Sequence, residues 1–204
     1  MWEFSGTLSL EKFSNLDSIS PTRIEFQNET IEKTEIKFET FREVKFQNCK
    51  FINVTFNNVF VAKAFFQNCE FTNVNILESN LSKIKILNCK FTSLSFTQTK
   101  IEDSEITESI IQYSKIDNSN ISNGKLDDVK LKENIVRHNK FNYLNFFKCE
   151  LVGENFIDTK FLECDLKTSH FKETSINIDD LISSTVSVLN MIEIVSDKGI
   201  FIED

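Results

Sequence analysis

The chain has 204 residues, 40% of them hydrophobic, a net charge of −8, 21 Phe, five Cys, four Gly and one Pro. That is ample apolar content for a packed core, and the acidic balance excludes a protein whose main task is neutralising phosphates. Gly and Pro fall far below their usual ~7% and ~5%, so something repetitive must replace ordinary turns.

Residues 1–25 contain Leu8, Leu10, Phe13, Leu16 and Ile19 and close at Ser20-Pro21, which reads as an N-terminal cap. They lack the basic start and apolar block of a secretory signal, and no stretch reaches the roughly 18 apolar residues of a membrane span. A cytoplasmic chain without membrane contact is expected. The odd number of cysteines agrees, because a secreted framework normally pairs them.

From Phe26 to Leu181 every fifth residue is Phe, Ile, Leu or Val, through 32 positions without an exception. Fourteen of these centres are Phe, among them Phe46, Phe51, Phe56, Phe66, Phe71, Phe91, Phe96, Phe141, Phe146, Phe156, Phe161 and Phe171. The position two before each centre is usually small, as at Val44, Ala64, Ser79, Ser109 and Gly124, and it holds all five cysteines: Cys49, Cys69, Cys89, Cys149 and Cys164. In extended chain, residues two apart point the same way, so these two columns share an interior and the other three positions face out. A period of five fits neither a helix nor a flat strand and requires a turn in each unit.

Units such as Cys49-Lys50-Phe51-Ile52-Asn53, Cys69-Glu70-Phe71-Thr72-Asn73 and Cys89-Lys90-Phe91-Thr92-Ser93 resemble the motif of the pentapeptide-repeat family: small, polar, Leu or Phe, polar, polar. The resemblance implies an all-β solenoid, a right-handed quadrilateral β-helix with one pentapeptide per face and about eight coils over residues 26–181. At roughly 4.8 Å per coil the rod would be near 40 Å long. Residues 20 apart should then stack, and Cys49, Cys69 and Cys89 have that spacing, with Cys149 three coils further on.

Glu39 and Glu154 occupy slots where small residues belong, and burying a carboxylate without partners is costly, so the coil is expected to distort or turn them outward. Asn134 and Asn139 fill consecutive interior slots, where their amides can bond turn carbonyls or the coil can bulge; the first is preferred. Past Leu181, Ile182, Val186 and Leu189 recur at helical spacing after Asp179-Asp180, which suits an N-cap, and predict a helix. Glu193-Ile194-Val195 and Ile200-Phe201-Ile202 around Ser196–Gly199 read as two short strands. In the quinolone-resistance branch of the family such a tail mediates twofold dimerisation, so residues 182–204 are either an end cap or a homodimer contact.

No catalytic, cofactor or metal residue is assigned. The cysteine spacings match no zinc or redox pattern, and His138 and His170 are outward and isolated. Carbohydrate-active β-helix enzymes have irregular coils with long loops, whereas this register never slips. The resemblance offers a second role, a DNA mimic that binds gyrase or topoisomerase IV. That role needs a sustained acidic surface, yet residues 26–181 carry 20 Lys and Arg against 23 Asp and Glu. A basic stretch over residues 46–100 is followed by an acidic one with Glu102, Asp103, Glu105, Glu108, Asp127 and Asp128. Phe60 and Phe65 also face outward, as do Phe147, Val152, Ile157 and Leu162. The reading is therefore a non-enzymatic protein-interaction or scaffold module, with Phe60, Phe65 and the acidic stretch as candidate partner surface; a type II topoisomerase is the alternative partner, and direct nucleic-acid binding is not expected.

Overall fold

The structure, a computed structural model, describes residues 24–37 and 40–196. Of the cap expected over residues 1–25, residues 1–23 lie outside these residues, as do Glu39 and the strand expected at Ile200–Ile202, while Ile24 and Glu25 already belong to the first strand. Four parallel sheets run from Ile24 to Ile182 as the four faces of a rod. Face A begins at Ile24–Gln27, face B at Thr30–Glu32, face C at Glu35–Lys37 and face D at Thr40–Arg42. Each residue pairs with the one 20 positions on, as in Phe26↔Phe46 and Phe51↔Phe71↔Phe91.

Each strand is usually three residues long, with its centre directed inward. The residue two after the centre then adopts a left-handed backbone, with φ between 46° and 58° at 28 non-glycine positions. Nine of these are Asn, whose short amide tolerates that region, and glycine appears there once, at Gly153. Ladders of corner amides reinforce the turn: Asn48, Asn68 and Asn88 each donate to the Asn one coil before, at 3.1, 3.2 and 2.9 Å.

The small column has a polar task as well as a steric one. Ser79 Oγ donates to Leu77 O at 2.6 Å and accepts from Val59 N at 3.1 Å, so one hydroxyl satisfies inward backbone groups of two coils. Ser109, Ser114 and Ser119 repeat the arrangement. Cys49, Cys69, Cys89, Cys149 and Cys164 are buried free thiols whose Sγ atoms donate weakly to carbonyls. Burial pushes the Cys149 thiol up to about 11.

The core is uneven along the axis. Stacked rings fill the first coils, with centroids 4.9 Å apart for Phe26–Phe46, 5.1 Å for Phe46–Phe66 and 4.6 Å for Phe51–Phe71. Edge-to-face rings such as Phe141–Phe161, at 5.2 Å, fill the last ones. Between them the eight consecutive centres from Ile101 to Val136 include no Phe. Ile and Leu do not span the same cross-section, so two buried clusters are bridged by inward residues that are only half-buried. A cavity of about 130 Å³ lies among them, and a second of about 80 Å³ shares Leu81, Ile84, Ile86 and Phe96 with it.

The C-terminal end departs from expectation. Asp179 and Asp180 lie in a 3-10 turn, Ile178–Asp180, and Ile182 ends the last strand of face D, Leu181–Ile182. The helix, α1, starts later and spans Val188–Ser196, so Glu193-Ile194-Val195 is helical rather than a strand. Its cap is Ser187 with Asn190: Ser187 Oγ accepts from Asn190 N at 3.1 Å, and Asn190 Oδ1 accepts from Ser187 N at 2.8 Å. The helix covers the open edge of face B. Asn190 Nδ2 donates to Ser169 O, and Glu193 Oε2 accepts from Phe171 N at 2.9 Å, which pairs backbone groups that no further strand serves.

Candidate functional site

Modulo-20 stacking decides which outward residues meet. Glu105 and Asp127 lie on face A, where Glu105 is opposite Lys125 and Asp127 is opposite Phe147. Glu108 and Asp128 stack at the corner leaving face A, and Asp103 sits at the corner entering it, all three in the left-handed corner conformation. Phe65 is two coils away on the same face, in register with Lys85 and Glu105. Phe60 and Glu102 are instead on face D, so the residues expected to form one surface divide between two faces. Phe60 packs under the Arg42 guanidinium, 5.7 Å from the ring centre.

Pairing neutralises part of the acidic stretch. Glu102 bonds Lys100 at 2.8 Å, Asp127 bonds Lys125 at 2.5 Å, and Glu105 lies 3.8 Å from Lys85. Among the described residues Asp103, Glu108 and Asp128 make no ion pair, and all three are exposed. Their charges therefore project from two corners that flank face A. Lys125 and Lys148 sit 5.6 and 5.0 Å from the Phe147 ring, an aromatic and cationic group whose convergence only the coil reveals.

A second electrostatic cluster sits on face C. Asp117 receives Lys115 at 3.2 Å, Arg137 Nη2 at 3.1 Å and His138 Nδ1 at 3.3 Å. Burial pushes its carboxyl up, but the His138 and Lys115 bonds and the Arg137 charge outweigh that and hold it below the usual range. His138, isolated in sequence, thus has a partner 21 residues away.

Glu154 corrects the sequence reading. It faces inward and is 1% exposed, and the coil around it keeps its register, with Ile135↔Asn155 paired. Its Oε1 accepts from Asn134 N at 3.2 Å and Asn134 Nδ2 at 2.9 Å, taking the place of the serine hydroxyl in other coils. Asn134 and Asn139 also face inward, bonding Ile111 O at 3.0 Å and Ile116 O at 2.9 Å while accepting from Ser114 N and Ser119 N. No bulge forms at either position.

Of the C-terminal residues, Val186 packs against the second buried cluster, whereas Ile182 and Leu189 are exposed. Among the described residues no group of three or more His, Cys, Asp or Glu could hold a metal ion. No described helix is long and apolar enough to cross a membrane.

Residues 39–116 match the family described as a pentapeptide repeat region. Among solved structures, the chain is similar to trypsin-treated QnrB1, a plasmid-mediated fluoroquinolone resistance protein, with 19% identity over 88% of this chain and 97% of that one and a TM-score of 0.49. It is also similar to HetL, a pentapeptide repeat protein involved in heterocyst differentiation regulation from the cyanobacterium Nostoc, with 10% identity over 81% and 85% of the two chains and a TM-score of 0.44. No curated protein matches.

Proposed function

We propose that this chain, of which residues 39–116 match a pentapeptide repeat region, is a non-enzymatic interaction module that docks a protein partner on face A and its two corners. The observation that carries the reading is the set of three unpaired carboxylates, Asp103, Glu108 and Asp128, held on a rigid ladder beside Phe65 and Phe147. Their backbones are fixed by parallel pairing on both sides, so a partner need not order a loop to meet them. A partner with a basic rim and an apolar centre matches this face.

A protein imitating duplex DNA along its length would need carboxylates without neighbouring cations. Here Lys45, Lys85 and Lys125 interrupt face A, so the acidic docking patch is the better supported reading. Gyrase and topoisomerase IV are nonetheless the first partners to assay, because the family resemblance implies them. The deciding experiment captures partners with the full chain and with an Asp103→Lys, Glu108→Lys, Asp128→Lys variant, using Glu70→Lys on face B as control. Loss of the partner in the triple variant alone is expected. Equal capture by all three proteins would remove face A as the site.

Self-association through the C-terminal end is an independent reading, supported by exposed Ile182, Val188, Leu189 and Ile192. A monomeric mass in light scattering would dismiss it.

A further inference from the structure

The cavity of about 130 Å³ is lined mainly by inward Ile, Leu and Phe side chains, with Ser104, Ser114 and Asn134 in its wall, and one carboxylate, Glu154, reaches it. Glu154 Oε1 is occupied twice by Asn134, and its Oε2 makes no hydrogen bond among the described residues. An apolar cavity reached by one carboxylate oxygen that makes no hydrogen bond has the composition of a small-molecule site: a body of hydrocarbon and one polar group to fix orientation. We propose that this hollow binds a small amphiphile, an alcohol of about six or seven heavy atoms, with its hydrocarbon among Ile106, Ile116 and Leu126 and its hydroxyl on Glu154 Oε2.

Size supports the assignment, since an apolar cavity of about 150 Å³ accepts benzene. The smaller hollow beyond Ile84 and Phe96 gives the hydrocarbon end further room. The hydroxyl follows from the carboxyl's chemistry. Burial raises Glu154 to near neutrality, so it is met both with and without its proton, and a hydroxyl donates to one form and accepts from the other. The outward residues Ser122 and Lys125, on either side of one corner, also join the lining, whereas the slot at Gly124 is closed by Leu144 and Ser104.

Phenol and toluene, which differ by hydroxyl against methyl, are the probes. Methyl NMR titrations of the full chain would follow Ile106, Ile116 and Leu126. Phenol is expected to bind at least about tenfold tighter than toluene, because only phenol can hydrogen-bond the Glu154 oxygen that faces the cavity. Glu154→Leu should make the two probes equal, and Leu126→Phe should abolish both by filling the space. The ratio on the unmodified chain decides the matter even if a variant fails to fold. Equal affinities there would show that Glu154 does not recognise the ligand, and no shift with either probe at millimolar concentration would show that the hollow takes no such guest; each overturns the proposal.

Discussion

Glu154 shows how a single residue can obey the local rule of a repeat while breaking its composition. The interior slot needs an acceptor for the N–H of the preceding coil, and a carboxylate supplies one to Asn134 as well as a serine would. The cost is burial, which pushes the carboxyl from its ordinary 4.5 up to about 7 against the opposing Asn134 bonds. Between those values the folded chain keeps a proton that the unfolded chain has lost, so stability falls as pH rises through that window and levels off above it. A shift of that size corresponds to about 3 kcal/mol. Urea midpoints at pH 5.5 and pH 8 should therefore decline for the native chain more than for Glu154→Gln, which keeps the acceptor but has no proton to lose. Parallel declines would mean that Glu154 does not titrate in this range. The sequence marked Glu154 as a misfit expected to distort the coil or turn outward, because the cost of burial was weighed alone; counting by 20 puts Asn134 in the same column, but that its amide turns to the carboxylate is visible only in the built coil.

At the level of elements, the strands were legible because their signal is repeated at every unit, and α1 was legible as a helix but not in its start. Asp179-Asp180 has the chemistry of an N-cap, yet Leu181 is still in register with Phe161, and continued sheet pairing outweighs a cap signal. The helix can begin only after the last bridge, Asp165↔Thr185, where Ser187 and Asn190 form the reciprocal cap. Asn190 has a second task, since its amide also serves Ser169 O beneath the helix and the residue is fully buried. Asn190→Ala removes the cap and orphans a carbonyl, so a loss of roughly 2 kcal/mol is expected. Chemical denaturation would read it, and the loss of helical signal should precede that of the sheet. A variant as stable as the native chain would show that the helix does not close the end of face B.

For the whole molecule, stability in a solenoid is close to a sum of coil and neighbour contributions, so a weak stretch stays weak locally. Face membership follows from counting by 20, and it could place Glu105, Asp127 and Phe147 together from sequence. Which carboxylates are left unpaired could not be counted, because Lys side chains reach along and across strands alike. The eight centres without Phe were equally visible, but the hollow depends on how Ile and Leu rotamers meet across the axis. An unfilled volume near 130 Å³ costs on the order of 3 kcal/mol at about 24 cal/mol per Å³, and that deficit is shared by the coils that line it, which centre on residues 101–136 and reach from Leu81 to Phe156. Amide exchange should then be faster in those strands than in the stacked-ring coils around Phe26, Phe46 and Phe51, which line neither hollow, despite the same parallel backbone pairing. Leu126→Phe should slow the central amides selectively, with any overpacking strain appearing as faster exchange at Gly124 and Leu144 instead. Uniform protection along the rod would mean that backbone ladders alone set local stability and that the interior filling does not matter.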